Sequence, residues 1–221
     1  MLVAGVDEAG RGPILGPIVF AGILMKEEDI PGLAELGVRD SKLLRPSKRE
    51  KLAVAILERA VKVSMKVVSP KEIDEAKAAG VNLNQLEVFY FADIINQLNP
   101  DVTYVDAADV NPERFSQRIK SNLVVDTELI SKHKADYDFL VVSAASILAK
   151  VERDRIVNEL KRFGDVGSGY CHDPKTISFL KKWVREYGEL PSFVRHSWIT
   201  AKNILNEAKQ AILDDFDKKN K

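Results

Sequence analysis

Two apolar runs near the start of the chain, Leu2 to Val6 and Ile18 to Met25, flank a stretch from Gly10 to Pro17 that holds three glycines and two prolines. Proline lacks the N–H a helix needs and glycine supports a helix poorly, so the runs read as two strands joined by a loop. The same interruptions leave the segment from Pro13 to Met25 too short and too broken to cross a bilayer. The first run ends in two acids, Asp7 and Glu8, so charge sits at a strand end.

Ser47 with Glu50 makes an S-x-x-E capping pattern ahead of Leu52, Ala53, Ile56, Leu57 and Ala60, which predicts a helix. Val61, Val63, Met65 and Val67 alternate with polar residues, which predicts an edge strand with one face in water. Ser69-Pro70-Lys71-Glu72 opens a short helix, and Asn82 to Leu98 forms a longer one closed by Asn99-Pro100. Val102 to Val105 and Leu123 to Ile130 are predicted strands, separated by a helix capped at Asn111-Pro112; this order favours a parallel pair with a crossover. From about Phe139 onward the pattern is helical: one helix to Gly164, one from Asp173-Pro174 to Gly188, and a last from about Ser197. The sum is an α/β fold, a mixed sheet with helices on both faces and more helices gathered at the C-terminal end. No linker divides the chain, and we expect one domain over residues 1–208 with a tail over 209–221.

Composition narrows the function. The 221 residues are enough to bury a core without disulfides, and the single Cys171 excludes an intramolecular disulfide and multi-cysteine zinc sites, as suits a reducing cytosol. No basic n-region precedes Asp7, so the expected location is cytoplasmic, with no membrane. Lys and Arg total 33, as do Asp and Glu, so any polyanion must be met by local placement of basic residues rather than bulk charge.

Strand ends are where α/β folds place their chemistry. Asp7 and Glu8 end the first strand, Asp106 ends the strand that starts at Val102, and Asp136 follows the strand ending near Ile130. Carboxylates gathered in one pocket raise each other's pKa, and a divalent cation relieves the repulsion. All-oxygen ligation selects a hard ion, Mg or Mn, and two such ions ~3.5–4 Å apart serve in-line attack of water on a phosphodiester.

The string Gly5-Val6-Asp7-Glu8-Ala9-Gly10-Arg11-Gly12, with Gly16-Pro17 after it, resembles the opening motif of the type 2 ribonuclease H family. Asp40-Ser41-Lys42, Tyr104-Val105-Asp106, His133-Lys134-Ala135-Asp136, Ala144-Ala145-Ser146-Ile147 with Ala149-Lys150, and Gly167-Ser168-Gly169-Tyr170 with Asp173-Pro174 are similar to the archaeal form, in family order over about residues 2 to 200. The resemblance implies an RNase H-like fold with a five-stranded mixed sheet. It implies endonucleolytic cutting of the RNA strand of RNA/DNA hybrids, or 5′ of single ribonucleotides in duplex DNA, for ribonucleotide removal and primer processing. It puts Asp7, Glu8, Asp106 and Asp136 at the family's metal-binding carboxylates. It makes Gly10, Arg11 and Gly12 the loop that reads the RNA-to-DNA junction, and Tyr170 the ring that packs on the next sugar. A monomer is implied, and a type 3 enzyme is not expected, because the catalytic strand starts at Leu2.

Glycines in the loop let backbone N–H and C=O groups approach a ribose 2′-hydroxyl. Lys42, Lys132, Lys134, Lys150 and Arg153 are candidates for phosphate contact, with Lys42 first because it lies inside a motif; His133 reads as structural. Cys171 and His172 depart from the smaller residues expected after Tyr170. Gln210, Leu213 and Phe216 resemble a sliding-clamp motif without its second aromatic, since Asp217 follows Phe216. A proofreading exonuclease would open on D-x-E rather than adjacent acids, and a non-catalytic hybrid-binding module would have no use for four carboxylates.

Overall fold

The structure, a computed structural model, describes residues 1–38 and 45–219, with the backbone alone from 212 onward. Lys42, Asp40 and Ser41 lie outside the described residues, as do the side chains of Leu213 and Phe216. Five strands form one sheet: β1 (Leu2–Ala9), β2 (Ile18–Lys26), β3 (Lys62–Val68), β4 (Val102–Asp106) and β5 (Glu128–Lys132), in the order β3-β2-β1-β4-β5. β1, β2 and β3 are antiparallel neighbours; β4 is parallel to β1, and β5 is parallel to β4. The helices are α1 (Pro31–Glu35), α2 (Pro46–Arg59), α3 (Pro70–Ala78), α4 (Leu83–Leu98), α5 (Pro112–Lys120), α6 (Ala135–Asp138), α7 (Leu140–Glu159), α8 (Pro174–Tyr187) and α9 (Ile199–Lys219). The α/β mixed sheet is as expected, with β3 at its edge and α5 as the crossover between β4 and β5.

Alternation along β1 divides the core in two. Val3 and Ala9 face α7 with Val141, Ala144, Ala145 and Leu148, while Ala4 and Val6 face α4 with Phe91, Ile94 and Ile95. A third apolar cluster joins Ile14 and Leu15 of the β1–β2 loop to Leu180 and Val184 of α8 and Ile204 of α9. The C-terminal helices therefore brace that loop from behind, and Leu15 forms an isolated bridge with Val194.

Three local expectations are corrected. α2 begins at Pro46 with Arg45 as its N-cap and no side-chain cap, because proline at the first position starts the helix before Ser47 can cap it. The expected strand from Leu123 to Ile130 is confined to Glu128–Lys132. Before it, Val124 N–H donates to the Asn96 side chain at 2.8 Å and the Asn122 carbonyl accepts from Asn96, so this stretch meets α4 rather than a strand. In β3, Ser64 is buried and bonded to Gln97 while Val67 is exposed, so the alternation does not separate apolar from wet. The caps at Ser69 and Asn82 form as complete capping boxes, and Asn111 caps α5. The α9 backbone continues helically through residue 209, with no break where the tail was expected to start.

Candidate active site

Pairing register builds the acidic site. β1 pairs with β4 from Val3↔Val102 to Val6↔Val105 and no further, while its pairing with β2 continues to Ala9↔Val19. One step past the last β1–β4 pair, Asp7 stands beside Asp106 where the ladder opens. Asp7 hydrogen-bonds Ser146 of α7 and Glu8 is flanked by Glu87 of α4, so successive side chains keep the strand's alternation, and Asp106 acts on both. Asp136 arrives by another route. Lys134 takes a left-handed conformation (φ 57°), which turns the chain into α6, and Ala135 N–H donates to Asp106 Oδ1 at 3.1 Å. Ser143 Oγ donates to the Asp136 carbonyl, fastening this corner to α7.

The electrostatics are those of crowded anions. Burial, reinforced by Glu8 and Asp106, holds the Asp7 carboxyl well above the ordinary carboxylate range. Burial, with Glu87 and Asp106, pushes Glu8 up to about 8, and its Oε2 is buried with no hydrogen-bond partner among the described residues. Burial raises Glu87 to about 7 despite the Arg11 guanidinium beside it. Among the described residues no three Asp, Glu, His or Cys side chains yet close into a coordination shell. The cluster holds the charge an ion would neutralise, not a finished cage.

Next to Glu8 a cavity of about 300 Å³ is lined by Gly10, Ser146, Lys150, Arg153 and Tyr170. Gly10 has φ 94°, and a Cβ there would meet Arg153 at 2.4 Å, so only glycine fits. Tyr170 is 40% exposed, tilted against His172, and its ring lies 3.6 Å from where a Gly12 Cβ would sit. The loop and the ring expected to handle substrate are thus brought together.

Most of the basic residues near the site have partners within the chain. Arg11 donates to Glu87 at 2.9 Å, Asn84 at 2.6 Å and the Ala108 carbonyl at 3.0 Å, and its charge also acts on Glu8, so its side chain is a strut between loop and α4 beside the acids. Arg153 is buried against Gly10 and reaches the Leu15 carbonyl. Lys150 pairs with Asp154, and Lys132 with Asp138. Lys134 is exposed beside Asp136. His133 contacts the Val110 carbonyl at 3.1 Å, in keeping with a structural role.

Sequence reading missed Glu87 and Arg195, and it gave Ser146, though inside a motif, no role. Glu87 had a signal, a lone acid among Leu86, Val88 and Phe91 on a buried helix. Arg195, fully buried, lies outside any helix or strand and carried none.

The ribonuclease HII family model matches residues 4–201. The chain belongs to the ribonuclease HII family. It is an endonucleolytic hydrolase of the RNase H type. Among its relatives, the ribonuclease HII of Pyrococcus abyssi is 46% identical over 224 residues, 99% of each chain. The crystal structure of the ribonuclease H2 from Pyrococcus horikoshii OT3 superposes with a TM-score of 0.91 at 43% identity, covering 95% of this chain and 99% of that one. A PCNA:RNase HII complex from Archaeoglobus fulgidus matches with a TM-score of 0.83 at 42% identity, covering 91% of this chain and 96% of that one. The five-stranded mixed sheet with its flanking helices is thus the RNase H-like fold. Among the described residues no helix is long and apolar enough to cross a membrane.

Proposed function

We propose that this chain hydrolyses the RNA strand of RNA/DNA hybrids and cuts 5′ of single ribonucleotides embedded in duplex DNA, as a cytoplasmic monomer serving ribonucleotide removal and primer processing. One observation carries the reading: Asp7, Glu8 and Asp106 crowd together at the open end of β1 and β4, beside a glycine loop and Tyr170.

A divalent cation fits the donor set. The groups are hard oxygens, the Asp7 and Glu8 carboxyls are driven toward protonation by burial and neighbouring carboxylates, and Glu8 Oε2 is buried without a partner among the described residues. Asp7, Glu8, Asp106 and Asp136 are the residues that would hold Mg or Mn, as a pair of ions. When bound, such ions activate the attacking water and neutralise charge at the scissile phosphate, leaving 3′-hydroxyl and 5′-phosphate ends.

The chain's own groups do the rest. Gly10 to Gly12 approach the ribose through their backbone, the Tyr170 ring packs on the next sugar, and Ser146 holds Asp7 in place by its hydrogen bond. Lys42, outside the described residues, contacts phosphate. Gln210, Leu213 and Phe216 dock on a sliding clamp; the helical backbone of α9 to Lys219 supplies the turn such a motif needs, and the A. fulgidus relative is seen with PCNA. A clamp pull-down recovers wild type and loses Phe216→Ala; equal recovery of both contradicts the docking.

The test of the main reading is an internally labelled duplex with blocked ends and one ribonucleotide. The expected product is a single cut 5′ of the ribonucleotide. Loss of label from the ends alone would place the chain among exonucleases.

A further inference from the structure

Arg195 connects two distant parts of the chain. It precedes α9 and is fully buried, and burial together with the neighbouring Arg153 guanidinium lowers its pKa to about 9, so it remains charged at neutral pH. All three hydrogen bonds of its side chain go to one loop. Nε donates to the Gly16 carbonyl at 3.1 Å, Nη1 to the Arg11 carbonyl at 2.8 Å, and Nη2 to the Gly10 carbonyl. None of these acceptors is charged. Burying a guanidinium against neutral carbonyls is costly, and a planar fork of fixed donors sets the shape of what it grips.

The consequence follows from peptide geometry. In a trans peptide the C=O and the N–H of the next residue point to opposite sides. Drawing the Gly10 and Arg11 carbonyls inward therefore turns the Arg11 and Gly12 N–H groups away from Arg195; Gly12 is exposed, and the Tyr170 ring lies 3.6 Å from where its Cβ would stand. Neither N–H has a hydrogen-bond acceptor among the described residues. The Arg11 side chain cannot cover them, since it is tied to Asn84, Glu87 and the Ala108 carbonyl.

We propose that Arg195 is a positioning residue for sugar discrimination: by gripping the Gly10 and Arg11 carbonyls it presents the Arg11 and Gly12 N–H groups to the 2′-oxygen of a ribonucleotide. The inference rests on the functional reading above and adds the residue that sets the loop's polarity. Arg195 touches no substrate itself. Its effect falls on the ribonucleotide substrate, in affinity and in cleavage, and not on the all-deoxy duplex.

The test compares wild type, Arg195→Lys and Arg195→Met, each checked for folding by circular dichroism. Affinity is measured in chelator, where nothing is cut, for a duplex with one ribonucleotide and for its all-deoxy counterpart; cleavage is then measured with Mg. Arg195→Met should lower the ribose-to-deoxyribose affinity ratio and reduce kcat by about 100-fold, the scale of a misplacement near 1 Å, while all-deoxy affinity stays unchanged. Arg195→Lys should recover part of both. A purely structural role would lower the melting temperature or both affinities together and leave the ratio intact; an unchanged ratio in a folded variant overturns the proposal. Should the variants fail to fold, amide NMR of wild type in chelator decides. The Arg11 and Gly12 N–H signals should shift with the ribonucleotide duplex and not with the all-deoxy one, and identical responses overturn the proposal. A wild type with no ribose preference and no cleavage sinks the functional reading along with this inference. A preference that survives in Arg195→Met sinks this inference alone.

Discussion

Asp7 and Glu8 are buried carboxyls whose ionised forms destabilise the fold until something positive joins them. Replacing Asp7 with Asn removes a charge that burial and two neighbouring carboxylates disfavour. In chelator, Asp7→Asn should therefore melt higher than wild type, by ~2–4 °C for each ~1 kcal/mol regained. Its cleavage should fall more than the ~10–100-fold typical of losing a group behind the ligands. A lower melting temperature in chelator contradicts the electrostatic account. pH gives a second check. Glu8 titrates at about 8 in the folded chain against about 4.3 unfolded, so between those values the folded state binds more protons. Its contribution to stability is complete below the unfolded value and is lost as pH rises through the folded one. Metal-free protein should melt lower at pH ~8.5 than at pH ~6, and Mg or Mn should narrow the gap; a melting point that rises across this range would show the burial is not as described.

At the scale of elements, the site depends on α7 lying unusually close to β1. A Cβ at Gly5 would stand 2.2 Å from the Val141 carbonyl carbon, against backbone that cannot rotate aside, whereas one at Gly22 would meet side-chain methyls of Ile94 and Leu98. Gly5→Ala should cost ~3 kcal/mol in urea unfolding and Gly22→Ala less, with Gly5→Ala also slowing cleavage because α7 carries Ser146. Equal costs would mean the strand–helix contact is not the constraint. The strands were legible where apolar runs ended in charge or proline, as at Asp7 and Asp106, and the helices where a cap and a proline coincided, as at Ser69-Pro70. The stretch from Leu123 to Val125 was not, because its apolar residues pack while its backbone bonds to Asn96, a partner that local pattern does not reveal. The acids were visible at strand ends. The side-chain partners of Arg11, Asn84 and Glu87, were not legible, because they lie more than 70 residues away on another element.

Across the whole molecule, a net charge of zero conceals separated charges. Acids gather at the open end of the sheet, while α8 carries Lys181, Lys182 and Arg185 near His172 around one exposed cavity. Duplex affinity should fall with salt, log K against log salt sloping by about 0.9 for each phosphate neutralised; a flat response would deny phosphate contact. The C-terminal helices matter to the same end, because they brace the β1–β2 loop and hold Arg195 beneath it.

The most direct test of the central claim is cleavage of a DNA duplex bearing one ribonucleotide by wild type and Asp7→Asn, each with Mg, with Mn and with chelator. The account predicts cutting 5′ of the ribonucleotide by wild type with either ion and none in chelator, and no cutting by a folded Asp7→Asn under any condition. Near-normal turnover by Asp7→Asn, or cutting by wild type in chelator, would contradict it.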